Sequence, residues 1–158
     1  MSNIAEVRKN QLAEFPYSIK GFFAEYRWLS NFHQCPVSYE GVIYPSSENA
    51  FQAAKTQSIE LRKPFKTCSP ADAKSLGRHL DLPPSWEQMR VVVMYQVTRS
   101  KYHINEDIRS KLLALGSAYL EETNWWGDDF WGVCSMNGLN MLGKIIMAVR
   151  TEIQTEKK

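Results

Sequence analysis

Apolar and polar residues alternate in the first third of the chain in a pattern that predicts short β-strands. The stretch CPVSYEGVIYP, residues 35–45, alternates on both sides of the turn-forming pair Glu40-Gly41 and predicts a hairpin closed by Pro45. Two shorter strands are predicted in YSIKGFF, residues 17–23, and in SAYLEET, residues 117–123. The predicted sheet content is therefore small.

Helical spacing and capping residues account for most of the remaining pattern. Ser46 or Ser47 is placed to cap a helix that runs through Ala54. Ser85 and Gln88 have the spacing of a capping box at the start of another helix. Further helices are predicted over residues 59–66, over 71–80 after the cap Ser69 and Pro70, from Ser85 through Tyr95, over 105–115 with Asn105 as cap, and over 139–153.

The last predicted helix places its apolar residues on one stripe, which is typical of a side that faces the core. The members of this stripe are Leu139, Leu142, Ile146, Val149 and Ile153. Before it, NWWGDDFWGVCSMNG, residues 124–138, is predicted as a glycine-rich loop. The predicted fold class is α+β, with a polar segment over residues 1–16 and one compact, helix-rich domain with a small β element over residues 17–155.

Length and composition limit the classes of function. With 158 residues and 44% hydrophobic residues, the chain is predicted to be a soluble globular domain. Its net charge of +2 is too small to indicate a nucleic-acid partner by itself. The sequence has no apolar run of the ~18 residues that a membrane span needs. Its three cysteines form no CxxC pair, so a reducing cytoplasm is the expected compartment.

Metal and cofactor sites are not expected from the sequence. The three histidines are dispersed without the spacing of a metal motif, and the chain has no GxGxxG or Walker-type loop. Cys68 and Cys134 have no basic neighbour in the sequence and are expected to be buried, inert thiols. Any chemistry is therefore expected to come from ordinary polar side chains.

The stretch YPSSENAFQAAK, residues 44–55, places three polar groups on one side of a predicted helix. Positions 48, 52 and 55 lie within roughly 60° of one another around a helix, so Glu48, Gln52 and Lys55 form one polar ridge. A solvated face, with Glu48 at the helix N-terminus, explains this ridge as readily as a pocket does. In a pocket, Glu48 is suited to acid/base chemistry, and Lys55 to holding phosphate, pairing with the glutamate or attacking a sugar aldehyde.

YRWLSNFH, residues 26–33, is predicted as a loop between two strands. It carries Arg27, Ser30, Asn31 and Phe32, a mixture of forked donors, amide and aromatic groups that is typical of loops that bind planar or anionic ligands. The alternative is an irregular connection whose aromatic residues fill the core.

The loop WWGDDFWG, residues 125–132, has carboxylates between indole rings, and its glycines let the backbone approach a ligand. Trp126, Gly127 and Asp128 are its candidate site residues. Core packing is the alternative here as well.

Asn140 and Gly143 lie at the start of the last predicted helix, where free backbone N–H groups can receive an anion or a ribose hydroxyl. A glycine inside a helix costs ~1 kcal/mol relative to alanine. Gly143 therefore indicates close packing or the approach of a ligand.

At these residues the chain resembles the NADAR family, also called YbiA-like. The resemblance rests on several spaced motifs in the family's order, and it extends from about Phe22 to Arg150. The residues that carry it are Ser30-Asn31-Phe32, Pro45, Glu48, Phe51-Gln52-Ala53, Lys55, Gly77-Arg78, Trp86-Glu87, Trp126-Gly127-Asp128, Gly138, Asn140, Leu142-Gly143, Met147 and Arg150.

The chain departs from the family pattern in two places. Asn49 stands where the family commonly has His, next to the expected catalytic Glu48, and is in a position to tune it. The loop after Asp128 continues Asp-Phe-Trp-Gly-Val-Cys-Ser-Met, where the family has a shorter glycine-rich run. The second departure bears on substrate choice more than on reaction type.

The resemblance implies a hydrolase that cleaves the bond between a ribose anomeric carbon and nitrogen. The activity it implies first is removal of ADP-ribose from guanine bases, with ADP-ribosylated DNA or RNA as a substrate, or from a related nitrogen. The alternative is a glycosidase for phosphoribosylamino-pyrimidine intermediates of riboflavin biosynthesis. An ADP-ribosyl or phosphoribosyl compound is thus the expected partner, with no cofactor, no metal and no membrane.

The resemblance also implies roles for the site residues. Because cleavage passes through an oxocarbenium-like sugar, Glu48 and Asp128 are expected to divide the acid/base and ribose-holding roles. Lys55 is the third catalytic candidate, as a nucleophile that forms a Schiff base with the opened sugar. Trp86, together with Trp126, is expected to stack the base or exclude water. The remaining substrate-binding candidates are Arg27 and Arg78 for phosphate, and Ser30, Asn31, Phe32, Gln52, Gly127, Asn140 and Gly143.

Two other classes of function stay open. A module that binds ADP-ribose or a nucleotide without turnover would need the aromatic residues but not both carboxylates. A partner protein that acts by contact, such as an antitoxin, would not need the ridge of Glu48, Gln52 and Lys55. The presence of both carboxylates and the amine favours an enzyme.

Overall fold

The computed structural model describes residues 18–156, which divide into two units. Residues 27–109 form one, called here the central unit because it is central in the sequence. Residues 18–26 and 110–156 form the other, called the two-segment unit. The predicted segment over residues 1–16 and Tyr17 of the first predicted strand lie outside the described residues.

The described residues have the α+β fold that the sequence predicts, with helices in the majority. The strands are β1 Ser18–Lys20, β2 Gln34–Tyr39, β3 Val42–Ser46, β4 Tyr119–Glu121, β5 Thr123–Asn124 and β6 Val133–Cys134. The α-helices are α1 Ser47–Ala53, α2 Ile59–Arg62, α3 Pro70–Gly77, α4 Trp86–Ile104, α5 Glu106–Ala114 and α6 Met141–Glu156, and 3₁₀ helices cover Ala24–Leu29 and Lys63–Lys66.

The predicted hairpin opens the central unit and leads directly into α1. Strands β2 and β3 pair antiparallel, with Tyr39 opposite Val42 and a register shift between Gln34 and Val37. Glu40 and Gly41 both have positive φ, +47° and +79°, which is the backbone of the tight hairpin turn. Strand β3 continues through Pro45 to Ser46.

Helix α1 is held by a side-chain cap at its first turn. The Ser46 hydroxyl accepts a hydrogen bond from the Asn49 N–H, so Ser46, one of the two predicted caps, is the one used. All seven residues of α1 are buried, and the helix packs against α3, α4 and both strands of the hairpin. A helix buried on every side has no solvated face, so its polar residues must find partners inside the protein.

The two-segment unit is built around β4. Strand β1 pairs parallel with β4, Ser18 opposite Tyr119, and α6 packs on β4. Within the predicted stripe of α6, Leu142, Ile146, Val149 and Ile153 are buried as expected. The stripe's first member, Leu139, is 53% exposed because the helix begins only at Met141.

Several predicted boundaries are wrong. Residues 26–33 are not wholly a loop, since a 3₁₀ helix covers Ala24–Leu29. The prediction over 59–66 splits into α2 and a 3₁₀ turn, and α3 ends at Gly77 instead of residue 80. The predicted loop 124–138 contains β6 and the end of β5.

The predicted capping box at Ser85 is also wrong. Ser85 precedes α4 with ψ near 0° and makes no side-chain cap; its hydroxyl donates to the Met89 sulfur instead. Helix α4 runs on to Ile104, nine residues past the predicted end at Tyr95. Cys68 and Cys134, expected to be buried, are partly exposed.

Among the residues that the structure describes, no helix combines the length and the apolar character needed to cross a membrane.

Candidate functional site

Glu48 lies in the first turn of α1 and is buried, with only 7% of its surface exposed. Its backbone N–H donates to the carbonyl of Asn31 at 3.0 Å. Its side-chain Oε1 accepts a hydrogen bond from the Nε2 of Gln52 at 2.8 Å. A desolvated carboxylate in a fixed orientation is suited to acid/base chemistry or to stabilising a cation.

Gln52 is itself buried, with 5% of its surface exposed, so it is not part of a solvated ridge. Its side chain lies against Gly77 at the end of α3, where a Cβ atom would come within 1.8 Å of Gln52 Oε1. Position 77 therefore has to be glycine for the amide to occupy this place beside Glu48. The Oε1 atom is buried without a hydrogen-bond partner.

Lys55 follows α1 in the turn after the helix ends at Ala53, so the ridge of three positions is only partly helical. Burial lowers the pKa of the Lys55 ammonium from its ordinary value of 10.5, the charge of Glu48 raises it, and Arg78 and Lys74 lower it further. These effects place one carboxylate and three cations within electrostatic reach of one another.

Aromatic rings lie under two of these cations. The Lys55 Nζ is 5.9 Å from the centre of the Phe51 ring, and the Lys74 Nζ is 5.8 Å from that of Phe32. Phe51 in turn packs on Trp86, with ring centres 5.4 Å apart. Trp86 is only 4% exposed, so it lies on the buried side of the Phe51 ring.

The segment Ser30–Phe32 is tied to the central unit by buried contacts. The Nζ of Lys101, which is 1% exposed, donates to the Ser30 carbonyl at 2.9 Å. The Asn31 amide donates to the Met94 sulfur at 3.5 Å, and the Phe32 N–H donates to the Ser30 hydroxyl at 3.1 Å. The Asn31 carbonyl also accepts a hydrogen bond from the Glu48 N–H. This segment therefore helps to position the start of α1.

Arg27 lies on the 3₁₀ helix Ala24–Leu29 and is exposed. The central unit thus holds a first group of predicted site residues: Arg27, Ser30, Asn31, Phe32, Glu48, Gln52, Lys55, Arg78 and Trp86. Gln52 and Glu48 share a hydrogen bond, and Glu48 and Arg78 act electrostatically on Lys55. Trp126, Gly127, Asp128, Asn140 and Gly143 belong to the two-segment unit.

Asp128 shapes its own loop. Its Oδ1 accepts hydrogen bonds from the N–H groups of Phe130 and Trp131, at 3.2 and 2.9 Å. Its own N–H donates to Asn124 at 3.1 Å. This arrangement is a side-chain turn of the kind that aspartate forms with its own backbone, so one carboxylate oxygen has a structural role.

Trp126 is 48% exposed and Trp125 75%, and their rings meet edge to face with centres 5.2 Å apart. Trp125 also contacts Phe23 at 5.2 Å. Gly127 has φ +86°, a conformation that side chains other than glycine rarely adopt. The loop therefore presents aromatic faces at the surface of its own unit.

Asn140 and Gly143 join α6 to β4 through close packing. The Asn140 amide donates to the Leu120 carbonyl at 2.9 Å, and its Oδ1 accepts from the Glu122 N–H at 3.0 Å. A Cβ on Gly143 would lie 2.2 Å from the same Leu120 carbonyl. Of the two readings of Gly143, close packing and ligand approach, the geometry supports close packing.

The expectation that the first N–H groups of this helix are free is wrong. The Met141 and Leu142 N–H groups donate to the carbonyls of Phe130 and Trp131, at 3.1 and 3.0 Å. An anion at this helix start would have to displace backbone hydrogen bonds.

Two residues near the site were missed from the sequence. Lys74 lies four positions before Arg78, which on a helix puts the two cations side by side, and that spacing was a readable signal. Lys101 continues the buried stripe of Val93 and Val97 on α4, so a lysine at a core position was the second signal.

Comparison with known proteins agrees with this architecture. The family model of the NADAR domain matches residues 19–154. The N-glycosidase YbiA of Escherichia coli (strain K12) is 32% identical over 140 residues, which are 84% of this chain and 85% of YbiA. The NMR structure of the E. coli protein YbiA superimposes with a TM-score of 0.79 at 31% identity, covering 89% of this chain and 88% of that one.

A riboflavin biosynthesis protein of Vibrio vulnificus (strain YJ016) is 34% identical over 134 residues. These residues are 80% of this chain but only 35% of the Vibrio protein, so the chain spans about a third of that relative. The match to the family model over nearly the whole described chain, together with the YbiA relatives and their fold, shows that the chain belongs to the NADAR family.

Proposed function

We propose that this chain hydrolyses the bond between a ribosyl C1′ atom and nitrogen in a phosphorylated substrate. The observation that carries the proposal is the buried Glu48 carboxylate, which is oriented by Gln52 and acts electrostatically on Lys55, as Lys74 and Arg78 also do. Membership of a family whose relatives are named N-glycosidases makes the chain a hydrolase of N-glycosyl bonds.

The carboxylate and the cations suit different parts of such a substrate. As the C1′–N bond breaks, positive charge develops on the sugar, and a nearby carboxylate stabilises it. The oxygen of a water molecule then bonds to C1′, one proton reaches the leaving nitrogen and the ribose hydroxyl keeps the other. Glu48 is the proposed group that moves the proton, and the cations hold the phosphate oxygens.

Asp128 receives a different role in this proposal. Because its Oδ1 already accepts two backbone N–H groups, we assign it to shaping the loop that carries Trp126. Trp86 is assigned to excluding water behind Phe51, since it is buried.

Lys55 gives the proposal a second mechanism, supported by its lowered pKa. A less basic amine is neutral more often near neutral pH and can attack C1′ of the sugar. The nitrogen base would leave with a proton, a Schiff base would form between Lys55 and the opened sugar, and water would hydrolyse it.

Two substrate types fit the cations. A phosphoribosylamino-pyrimidine is favoured by the name of the Vibrio relative, a riboflavin biosynthesis protein. ADP-ribosylated guanine, free or in DNA or RNA, is favoured by its diphosphate, because Lys55, Lys74 and Arg78 lie within electrostatic reach of one another.

The deciding experiment is a hydrolysis assay with both substrates on the wild type and on Glu48→Gln. We expect Glu48→Gln to lower kcat by about 10²-fold or more on the true substrate. Glu60→Gln is the matched control, since Glu60 is an exposed glutamate that pairs with the exposed Lys63, and it should keep full activity. Borohydride is added in parallel; a covalent sugar adduct that Lys55→Ala cannot form would select the Schiff-base route.

The three possible results of the hydrolysis assay lead to different conclusions. Release of ribose phosphate from the pyrimidine identifies a metabolite glycosidase, and release of ADP-ribose from guanine identifies a de-ADP-ribosylating enzyme. Nucleotide binding without hydrolysis of either, by a folded wild-type protein, would replace the proposal with the binding-module hypothesis.

A further inference from the structure

Arg150 on α6 is a buried cation that the proposed chemistry does not use. Only 5% of its surface is exposed. Its Nη1 atom is buried and donates to no acceptor in residues 18–156. Burial also lowers the pKa of its guanidinium, and no charged residue of the described part of the chain contributes to that shift.

Neighbouring contacts locate Arg150 along the helix. Three positions earlier, the Met147 sulfur accepts from the Leu120 N–H of β4 at 3.5 Å. Four positions later, the Gln154 amide donates to the Gly116 carbonyl at 3.4 Å. Residues spaced by three and four lie on one helix face, so Arg150 is on the side of α6 that faces β4 and the turn before it.

Within residues 18–156, the guanidinium has no acidic partner. Its neighbours one turn away, Ile146 and Ile153, are buried apolar residues. By contrast, Arg62 pairs with Glu40 and Arg90 with Glu87, whereas no carboxylate of the described residues lies within salt-bridge distance of Arg150. Arginine does not lose its proton in proteins, and a desolvated charge without a counter-ion is strongly unfavourable.

We propose that Arg150 is the charged anchor of a binding site in the two-segment unit for a small phosphate-bearing anion. The guanidinium is a planar fork that matches two oxygens of one phosphate group, and the apolar surroundings strengthen that charge-assisted hydrogen bond. The site is inferred from residues of this unit alone and does not depend on the proposed hydrolysis at Glu48.

The test measures binding, not turnover. Thermal unfolding is followed at constant ionic strength while chloride is replaced by inorganic phosphate, by ribose 5-phosphate, or by chloride with uncharged ribose. We expect a saturable rise in melting temperature of about 3–6 °C, at a concentration of ten times Kd, with at least one of inorganic phosphate and ribose 5-phosphate. We expect no rise with ribose. A larger effect of ribose 5-phosphate would assign the site to a sugar phosphate, and an equal effect to free phosphate.

Three variants make the test specific to Arg150. Lys144→Met removes an exposed cation from the same helix and should keep the full rise. Arg150→Met should lose the part of the rise that this site supplies, so that at most the part from the cations near Glu48 remains. In chloride it should unfold at or above the wild-type temperature, because an unpaired buried charge is gone. Arg150→Lys keeps the charge but not the fork and should retain a smaller rise.

Two results would overturn the proposal. An equal rise in Arg150→Met would show that phosphate acts elsewhere or non-specifically. A marked loss of stability, or failure to fold, of both Arg150 variants in chloride would show that the guanidinium is a structural group of the unliganded fold.

Discussion

The contact between Gly77 and Gln52 shows how a residue without a side chain can govern a catalytic candidate. A Cβ at position 77 would fall 1.8 Å from Gln52 Oε1 and 2.7 Å from its Cδ. Those atoms are the far end of a flexible side chain, so the amide would swing away. It would then lose its hydrogen bond to Glu48.

Gly77→Ala is therefore expected to lower stability and activity together. Alanine in a helix is favourable by about 1 kcal/mol, but a lost hydrogen bond to a charged group costs about 1.5–3 kcal/mol. The expected net loss is about 0.5–2 kcal/mol in urea unfolding, with kcat reduced and KM little changed.

A second background separates this cause from a general disturbance of α3. In Gln52→Ala, the Oε1 and Cδ atoms are gone and only the Cβ of residue 52 remains close, at 3.2 Å. The Gly77→Ala change should then stabilise the protein by up to about 1 kcal/mol. Ser75→Ala, at an exposed position of the same helix, should leave activity unchanged. If Gly77→Ala costs the same with and without Gln52, the contact has no part in positioning Glu48.

The placement of side chains near Glu48 could be predicted only in part from the sequence. The spacing of Glu48, Gln52 and Lys55 placed them together, but the sequence could not distinguish a solvated face from a buried one, and Gln52 is 5% exposed. That distinction depends on α3 and Gly77, which are distant in sequence. The hydrogen bonds that occupy Asp128 and Asn140 likewise have no signature in a pattern of residue types.

At the scale of the element, the buried side-chain amide of Asn49 connects α1 to the residue before it and to a later segment of the chain. Asn49 Oδ1 accepts from the Ser46 hydroxyl, and its Nδ2 donates to the carbonyls of Phe65 and Cys68, both at 2.9 Å. The side chain thus joins α1 to the 3₁₀ turn that precedes α3. The position where the family commonly has His is therefore a structural junction in this chain.

Asn49→Ala should destabilise the protein by about 2–4 kcal/mol, because it leaves buried carbonyl groups without a donor. Chemical unfolding measures the change directly. The exposed Gln57, just after α1, provides the control, and Gln57→Ala should shift stability by less than about 0.5 kcal/mol. A loss below about 1 kcal/mol in Asn49→Ala would mean that water replaces the amide.

Local signals predicted the starts of elements better than their ends. Ser46 and Ser69 cap α1 and α3 as their positions suggested, because a cap is a contact between neighbours in the sequence. The end of α4 was missed because Thr98 and Lys101 are polar but buried. Their burial depends on β2, which packs against α4 from elsewhere in the chain.

For the whole molecule, the buried phenol of Tyr102 and the partly buried thiol of Cys35 set an alkaline limit to stability. Burial raises the pKa of Tyr102 far above its ordinary value of 10.0 and raises the pKa of Cys35 above 9.0. The unfolded chain then loses these protons at lower pH than the folded one. The free energy of unfolding is therefore unaffected by these groups below about pH 9 and falls as the pH rises beyond it.

Tyr102→Phe should reduce this alkaline decline. The Tyr102 hydroxyl is buried and has no hydrogen-bond partner within residues 18–156. At pH 7 the variant should therefore be as stable as the wild type or more so, by up to about 1 kcal/mol. Urea unfolding between pH 7 and pH 11 measures both effects. An equal decline in Tyr102→Phe would assign it to other groups.

Strand β1 pairs with β4, whose residues follow it by about 100 positions in the chain. During synthesis the ribosome therefore releases β1 long before the strand that completes its sheet, and every residue of the central unit is made in between. That unit can form from a continuous stretch of nascent chain, whereas β1 keeps an unpaired strand edge until β4 emerges. A chain that stalls before Tyr119 would leave this edge open to aggregation or to chaperones, which makes the synthesis of β4 decisive for quality control.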